Sequence, residues 1–234
     1  MKFLTLFQAF KSILSRLRKE KPSLKSFATQ RGWKQSEVVG ICIGHSRKGD
    51  RGAVNHDNTT DEWTYNASVG EALHKSLKKK GIASHLYCSL EGSTYSAAMR
   101  CLRRLLKEDK VTLALELHFN SYNRAARGSE TWYRTGEQKS AKLACFLQKA
   151  VVNAYGSLDR GIKAARRKDR GYGFLSAADI PQALCEPFFG DNEQDYLLFS
   201  KPEELGQPLA DGIENFLLDK QASNRSARKD NASE

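Results

Sequence analysis

Four polar residues that could carry out chemistry stand at the ends of apolar segments. His45 follows VVGICIG, His118 ends the run VTLALELH, Glu186 follows QALC, and Glu62 begins a segment with helical apolar spacing. Two histidines and one carboxylate, with a fourth position left open, recur in catalytic zinc sites, and zinc hydrolases use a separate glutamate to move protons. Each residue alone has an ordinary structural explanation, such as a histidine at the rim of a sheet or a carboxylate at a helix N-terminus.

The elements around these residues determine where the side chains point. In open α/β sheets, functional groups gather beyond the carboxyl ends of the strands, which is where His45, His118 and Glu186 lie. Glu62 shares a helical stripe with apolar residues that must face the sheet, so it is expected to point inward. Strand alternation places Cys185 on the opposite face from Glu186, which argues against a Cys185 nucleophile in the same site.

Glu116 is a further acidic residue on the strand that ends at His118, and alternation puts both on one face. A buried carboxylate is costly unless it is paired. Two explanations remain open: an ion pair with a Lys or Arg, or a supporting contact to the ligands of a metal site.

The alternation of strand and helix patterns predicts a single α/β domain with a mostly parallel twisted sheet flanked by helices on both faces. Residues 1–37 are predicted to form a basic amphipathic helix and a polar connector, residues 38–219 the folded domain, and residues 220–234 a disordered polar tail. Within the domain, residues 156–176 are rich in Gly and Arg and are predicted to form an exposed loop. The predicted strands and helices are 38–44, 61–80, 83–88, 94–109, 111–119, 128–134, 139–155, 182–186, 193–199 and 202–218.

The net charge of +11 lies mostly at the chain ends, because residues 1–39 contain nine Lys or Arg against two Glu. The folded region is close to neutral and lacks basic stripes interleaved with aromatic residues, so we expect no nucleic-acid partner. The first segment has no small-residue cleavage site after its apolar run, which disfavours a cleavable export signal. Its helical pattern fits both an arm on an anionic membrane surface and a helix packed on the domain. The five cysteines form no C-x-x-C pair and are expected to be reduced thiols.

Four blocks of the sequence resemble motifs of the zinc-dependent N-acetylmuramoyl-L-alanine amidases of bacterial cell-wall enzymes and phage endolysins. The resemblance spans about residues 38–218. GHSRKGDRGA is similar to the family's G-H-G-G-x-D-P-G-A, an acidic residue opens the next helix, ELHFNS is similar to S-I-H-A-N-A, and IPQALCEPFFGDN is similar to I-P-x-x-L-x-E-x-x-F-x-x-N. Ser46 replaces a glycine of the first motif, Arg51 replaces its proline, and Glu116 replaces the serine of the third.

The resemblance implies that His45, Glu62 and His118 bind Zn²⁺ and that Glu186 is the catalytic residue. It implies hydrolysis of the amide between N-acetylmuramic acid and L-alanine in peptidoglycan, with Glu186 passing a proton from water to the alanine nitrogen. A zinc peptidase that cuts within the peptide stem is the alternative. We expect a monomer made in the cytoplasm that acts on the cell wall, at the periplasmic or extracellular face, with a phage or prophage endolysin as one setting. An anionic membrane surface, contacted through the N-terminal helix, is the second partner under the first of the two interpretations of that helix, and the other interpretation packs the helix on the domain.

Overall fold

A computed structural model describes residues 37–88, 90 and 94–230, with side chains through residue 226. The predicted N-terminal helix and most of its connector, residues 1–36, lie outside the described residues. The strands are β1 (Val38–Ile43), β2 (Ala83–Tyr87), β3 (Leu113–Leu117), β4 (Ser129–Arg134), β5 (Asp159–Ala165) and β6 (Gln182–Glu186). The helices are α1 (Glu62–Lys79), α2 (Tyr95–Glu108), α3 (Gln138–Tyr155), α4 (Tyr172–Leu175), α5 (Glu193–Leu198) and α6 (Pro202–Asp230).

The strands form one sheet in the order β2-β1-β3-β6-β4-β5. Neighbouring strands run parallel except β4 and β6, which are antiparallel. Strands β1, β3 and β6 are therefore side by side with their carboxyl ends at the same edge, which brings the segments after Ile43, Leu117 and Cys185 together. The predicted fold, a mostly parallel sheet in a single α/β domain, is confirmed.

Helices cover both faces of the sheet and bury two apolar layers. Helices α1, α3 and α6 pack over the face that presents Ile41, Leu115 and Cys185. Helices α2 and α4 pack over the opposite face, which presents Cys42, Ala114 and Leu184. Because strand side chains alternate, each central strand contributes to both layers, and the sheet is held rigidly between them. This rigidity fixes the positions of the groups at the carboxyl edge.

Two sequence predictions differ from the structure. Residues 156–176 are not a continuous loop, because they contain β5 and the short helix α4. Strand β5 lies at the edge of the sheet and its residues are largely exposed. A charged edge strand of this kind lacks the apolar run by which buried strands are recognised. Helix α6 also continues through residues 220–230, which were predicted to be a disordered tail. This extension contains neither Gly nor Pro and has several good helix formers, so nothing in it stops the helix.

None of the helices in the described part of the chain combines the length and the apolar character that a membrane crossing requires.

Candidate active site

Three predicted ligand residues converge at the carboxyl edge of the sheet. His45 follows β1, Glu62 begins α1, and His118 follows β3. Each offers one ligand atom, and these atoms all lie within 4.8 Å of one another. His45 Nε2 is 3.0 Å from Glu62 Oε2, and His118 Nδ1 is 2.8 Å from Glu62 Oε1. Two imidazoles and a carboxylate at this separation form a donor set that suits zinc.

The Glu62 carboxylate is held by the backbone as well as by the histidines. Its Oε2 accepts a hydrogen bond from the Ala53 N–H at 3.1 Å, and its Oε1 accepts one from the Phe119 N–H at 3.1 Å. The side chain of Asp61 accepts from the Thr64 N–H and caps α1, which fixes the start of the helix. Each oxygen of Glu62 therefore faces one imidazole and one backbone donor, so its position is set before any ligand binds.

The loop between β1 and α1 approaches the candidate ligand residues closely at two glycines. A Cβ atom on Gly44 would lie 2.2 Å from Cε1 of His118. Gly52 has φ of +79°, and a Cβ atom there would lie 2.5 Å from Glu62 Oε2. A side chain at either position would displace a candidate ligand residue, and at Gly52 the backbone conformation is also one that favours glycine.

Arg51 stands where the related motif has proline, and the structure shows how it fixes the loop. Its Nε and Nη2 donate to the two carboxylate oxygens of Asp61 at 2.8 and 3.0 Å. Its Nη1 donates to the carbonyl of Arg47 at 2.9 Å, and the guanidinium lies 5.0 Å from the ring centroid of Trp63. A bidentate ion pair thus replaces the conformational restriction that proline would give.

The ionisable groups of this cluster shift one another's pKa. Burial alone would lower the pKa of His45 and His118, but their hydrogen bonds to carboxylates outweigh burial and raise both, with His118 well above its usual value. Burial alone would raise the pKa of Glu62, but the hydrogen bonds from His118 and His45 outweigh it and lower the pKa to about 2. Glu62 is therefore ionised at every physiological pH.

Glu186 ends β6, beside β3, and is in register with Glu130 on β4. Burial raises the pKa of Glu186 to about 7; His118 opposes this shift, while the charges of Glu130 and Glu62 and a hydrogen bond with Glu130 add to it. The pKa of Cys185 is also raised, to about 12, mainly by burial. A buried thiol in this state is a poor nucleophile, in agreement with the sequence prediction.

Glu130 was not identified from the sequence, yet it anchors a polar network next to Glu186. Its Oε1 accepts from Asn120 Nδ2 at 3.0 Å and from Trp132 Nε1 at 3.1 Å, and its Oε2 accepts from Arg160 Nε at 2.6 Å. The side chain of Glu130 is only 5% exposed. An acidic residue between Ser129 and Thr131 in a predicted strand was the available signal. Arg160 gave none, because it lies in the segment that was predicted to be a loop.

Glu116 contacts the other nitrogen of the His118 ring. Its Oε2 lies 3.3 Å from His118 Nε2, and this is the ion pair recorded for Glu116 among the described residues. Of the two explanations left open by the sequence, the supporting contact to a candidate ligand residue is therefore the one that matches the structure. Asp50 holds the corresponding position at His45, with its Oδ2 3.2 Å from His45 Nδ1.

The fold is shared with solved amidase structures. The CwlD amidase from Clostridioides difficile, solved in complex with the GerS lipoprotein, has a TM-score of 0.69 and 21% identity over 77% of this chain and 98% of that one. The catalytic domain of the CwlV amidase from Bacillus (Paenibacillus) polymyxa has a TM-score of 0.66 and 24% identity over 77% and 98%. The catalytic domain of an endolysin that targets Clostridium difficile has a TM-score of 0.66 and 22% identity over 76% and 97%. No curated protein matches the sequence.

The sequence also matches a family model over residues 39–215, a stretch that runs from β1 into the first half of α6 and includes all four predicted site residues. The model is that of Amidase_3, described as N-acetylmuramoyl-L-alanine amidase. The chain therefore belongs to the Amidase_3 family of N-acetylmuramoyl-L-alanine amidases and is a peptidoglycan amidase.

Proposed function

We propose that His45, Glu62 and His118 bind one Zn²⁺ ion and that the enzyme hydrolyses the amide between N-acetylmuramic acid and L-alanine. The observation that carries the proposal is the approach of three potential ligand atoms to within 4.8 Å of one another. Two imidazoles and one carboxylate, with room for a further ligand, form the donor set of many zinc hydrolases.

The donor set fits zinc better than the alternatives. Nitrogen ligands from two histidines disfavour Mg²⁺ and Ca²⁺, which prefer oxygen. When bound, Zn²⁺ polarises a carbonyl and makes water acidic enough, with a pKa of ~7, to ionise at neutral pH. Glu62 needs no rearrangement to serve as a ligand, because two backbone N–H groups already orient its oxygens.

Glu186 has the properties of the proton carrier in this reaction. Amide hydrolysis requires a base that takes a proton from the attacking water and an acid that gives a proton to the departing nitrogen. A carboxyl with a pKa of about 7 exchanges protons in both directions near neutral pH. This role is supported by the influence of His118 and Glu62 on its pKa and by its register with Glu130 on the neighbouring strand.

Digestion of purified peptidoglycan followed by mass spectrometry tests the bond that is cut. We expect complete stem peptides with a free N-terminal alanine and glycan strands that keep their lactyl carboxyl groups. Fragments of the stem would instead identify a zinc peptidase and overturn the assignment of the bond.

The Glu186→Gln variant tests the assigned roles in the same assay. It keeps the shape of the side chain but cannot carry a proton, so we expect full zinc content by elemental analysis and no products. Exposed Glu203 on α6 provides a matched control, and Glu203→Gln should digest the wall like the parent enzyme. Near-normal activity of Glu186→Gln would remove Glu186 from the mechanism.

We further propose that this enzyme is a phage or prophage endolysin. Two observations support this proposal. The first residues have a basic amphipathic pattern, and the fold of this chain is similar to that of an endolysin catalytic domain. Cells that express the protein should stay intact until the membrane is permeabilised and then lyse, whereas cells that express Glu186→Gln should not lyse. Appearance of the active protein outside an intact inner membrane would contradict the proposal.

A further inference from the structure

The carboxylate of Glu116 lies directly behind the His118 ring, and the proposed reaction gives it no task. Glu116 Oε2 is 3.3 Å from His118 Nε2, while the other ring nitrogen, Nδ1, is 2.8 Å from Glu62 Oε1. The imidazole is thus held between two carboxylates. Only one of them belongs to the group of three potential ligands.

We propose that Glu116 is a positioning residue that holds His118 in the orientation and tautomer needed to bind the metal, and that it thereby strengthens zinc binding. The inference rests on the proposed zinc site. A histidine that binds zinc through Nδ1 carries its proton on Nε2, and that proton needs an acceptor. Glu116 is the acceptor at the required nitrogen.

The surroundings of Glu116 leave the imidazole as its natural partner. Its register neighbours are Cys42 on β1 and Leu184 on β6, and neither side chain can neutralise a carboxylate. The residue is 6% exposed, so solvent does little to stabilise its charge. A buried carboxylate in such a place is strongly destabilising unless it accepts a hydrogen bond from a good donor. His118 Nε2, 3.3 Å from Glu116 Oε2, is placed to supply that donor.

His45 has a similar backing carboxylate, but its environment differs. Asp50 Oδ2 is 3.2 Å from His45 Nδ1, and its side chain is 79% exposed, against 8% for Glu116. Water and salt screen the Asp50 charge, whereas the Glu116 charge acts through a low-dielectric region. Glu116 is therefore the stronger of the two supports.

This support is a property of this chain rather than of the motif it resembles. Where the motif S-I-H-A-N-A has serine, this sequence has Glu116. A hydroxyl at that position would be shorter and uncharged, and charged acceptors make stronger hydrogen bonds than neutral ones. The charge should make the zinc site tighter than one backed by serine.

The test measures zinc affinity of the metal-stripped full-length protein by competition with a chromogenic chelator. Removing a support of this kind costs about 10- to 100-fold in metal affinity. We expect a loss in that range for Glu116→Ser and a smaller loss for Glu116→Gln, whose amide oxygen can still accept the bond. At saturating zinc both variants should regain one ion per chain.

A matched control separates the hydrogen bond from a general loss of negative charge. Asp195 is as buried as Glu116 but accepts hydrogen bonds from the backbone N–H groups of Gly128 and Phe189 rather than from a histidine. Asp195→Asn should therefore keep zinc affinity close to that of the parent protein. Equal losses in Asp195→Asn and Glu116→Gln would show that charge alone matters and would overturn the positioning role.

Nitrogen-15 NMR of the zinc-loaded protein gives a second readout, which remains informative if a variant is less stable. We expect His118 to carry its proton on Nε2 in the parent protein. A parent protein with the proton on Nδ1, or Glu116 variants with unchanged zinc affinity, would overturn the inference. If the parent protein itself bound no zinc, the proposed function would fail instead, so the two failures are distinguishable.

Discussion

Replacing Glu186 with glutamine should stabilise the metal-free protein at neutral and alkaline pH. The pKa of Glu186 is raised from 4.5 to about 7 in the folded protein. Between these values the folded state binds a proton that the unfolded state has lost, so the free energy of unfolding falls as the pH rises through this window. Above pH ~7 this pKa shift lowers the free energy of unfolding by at most about 3 kcal/mol, and below pH ~4 it has no effect on stability.

Urea unfolding of chelator-treated protein at about pH 5 and about pH 8 measures this effect. The difference in stability between Glu186→Gln and the parent protein should grow with pH by up to about 3 kcal/mol. Glu203→Gln, an exposed substitution on α6, should show no such growth. Saturating zinc should reduce the difference, because a nearby cation favours the charged carboxylate. Parallel pH profiles for the parent and Glu186→Gln would refute the reasoning that burial and neighbouring acids destabilise the Glu186 charge.

Three other perturbations test the ligand group. His118→Ala should lose stoichiometric zinc, and an unchanged zinc content by elemental analysis would remove His118 from the site. Zinc affinity should fall as the pH drops, starting above pH 6.5, because the pKa of His45 and His118 is raised while Glu62, with a pKa of about 2, stays ionised. Chelator competition should show that the affinity falls about tenfold per pH unit for each proton that zinc binding releases. An affinity that does not change with pH would contradict this prediction. Gly52→Ala should weaken zinc binding because its Cβ would lie 2.5 Å from Glu62 Oε2, and affinity equal to that of the parent protein would show that the loop adapts.

The fold and the convergence of the three candidate ligand residues were predictable because their signals are local or ordered along the chain. Apolar strands such as Val38–Ile43 are buried on both faces, and Glu62 is placed by the helical stripe that follows it. Strand β5 was missed because an exposed, charged edge strand looks like a loop. The partners of Glu130 could not be predicted either, since Asn120 and Arg160 reach it from two separate segments. Such contacts depend on strand order, which the sequence pattern leaves open.

The buried acids at this edge differ in their partners, and the difference separates positioning from proton transfer. Glu130 accepts hydrogen bonds from three side-chain donors, those of Asn120, Trp132 and Arg160. Glu62 has two backbone donors and two imidazoles. Glu186, in contrast, lies in register with another carboxyl, that of Glu130, and burial together with the neighbouring acids raises its pKa to about 7. A carboxyl with a pKa near neutrality beside a group of potential metal ligands is the one suited to exchange a proton with a substrate.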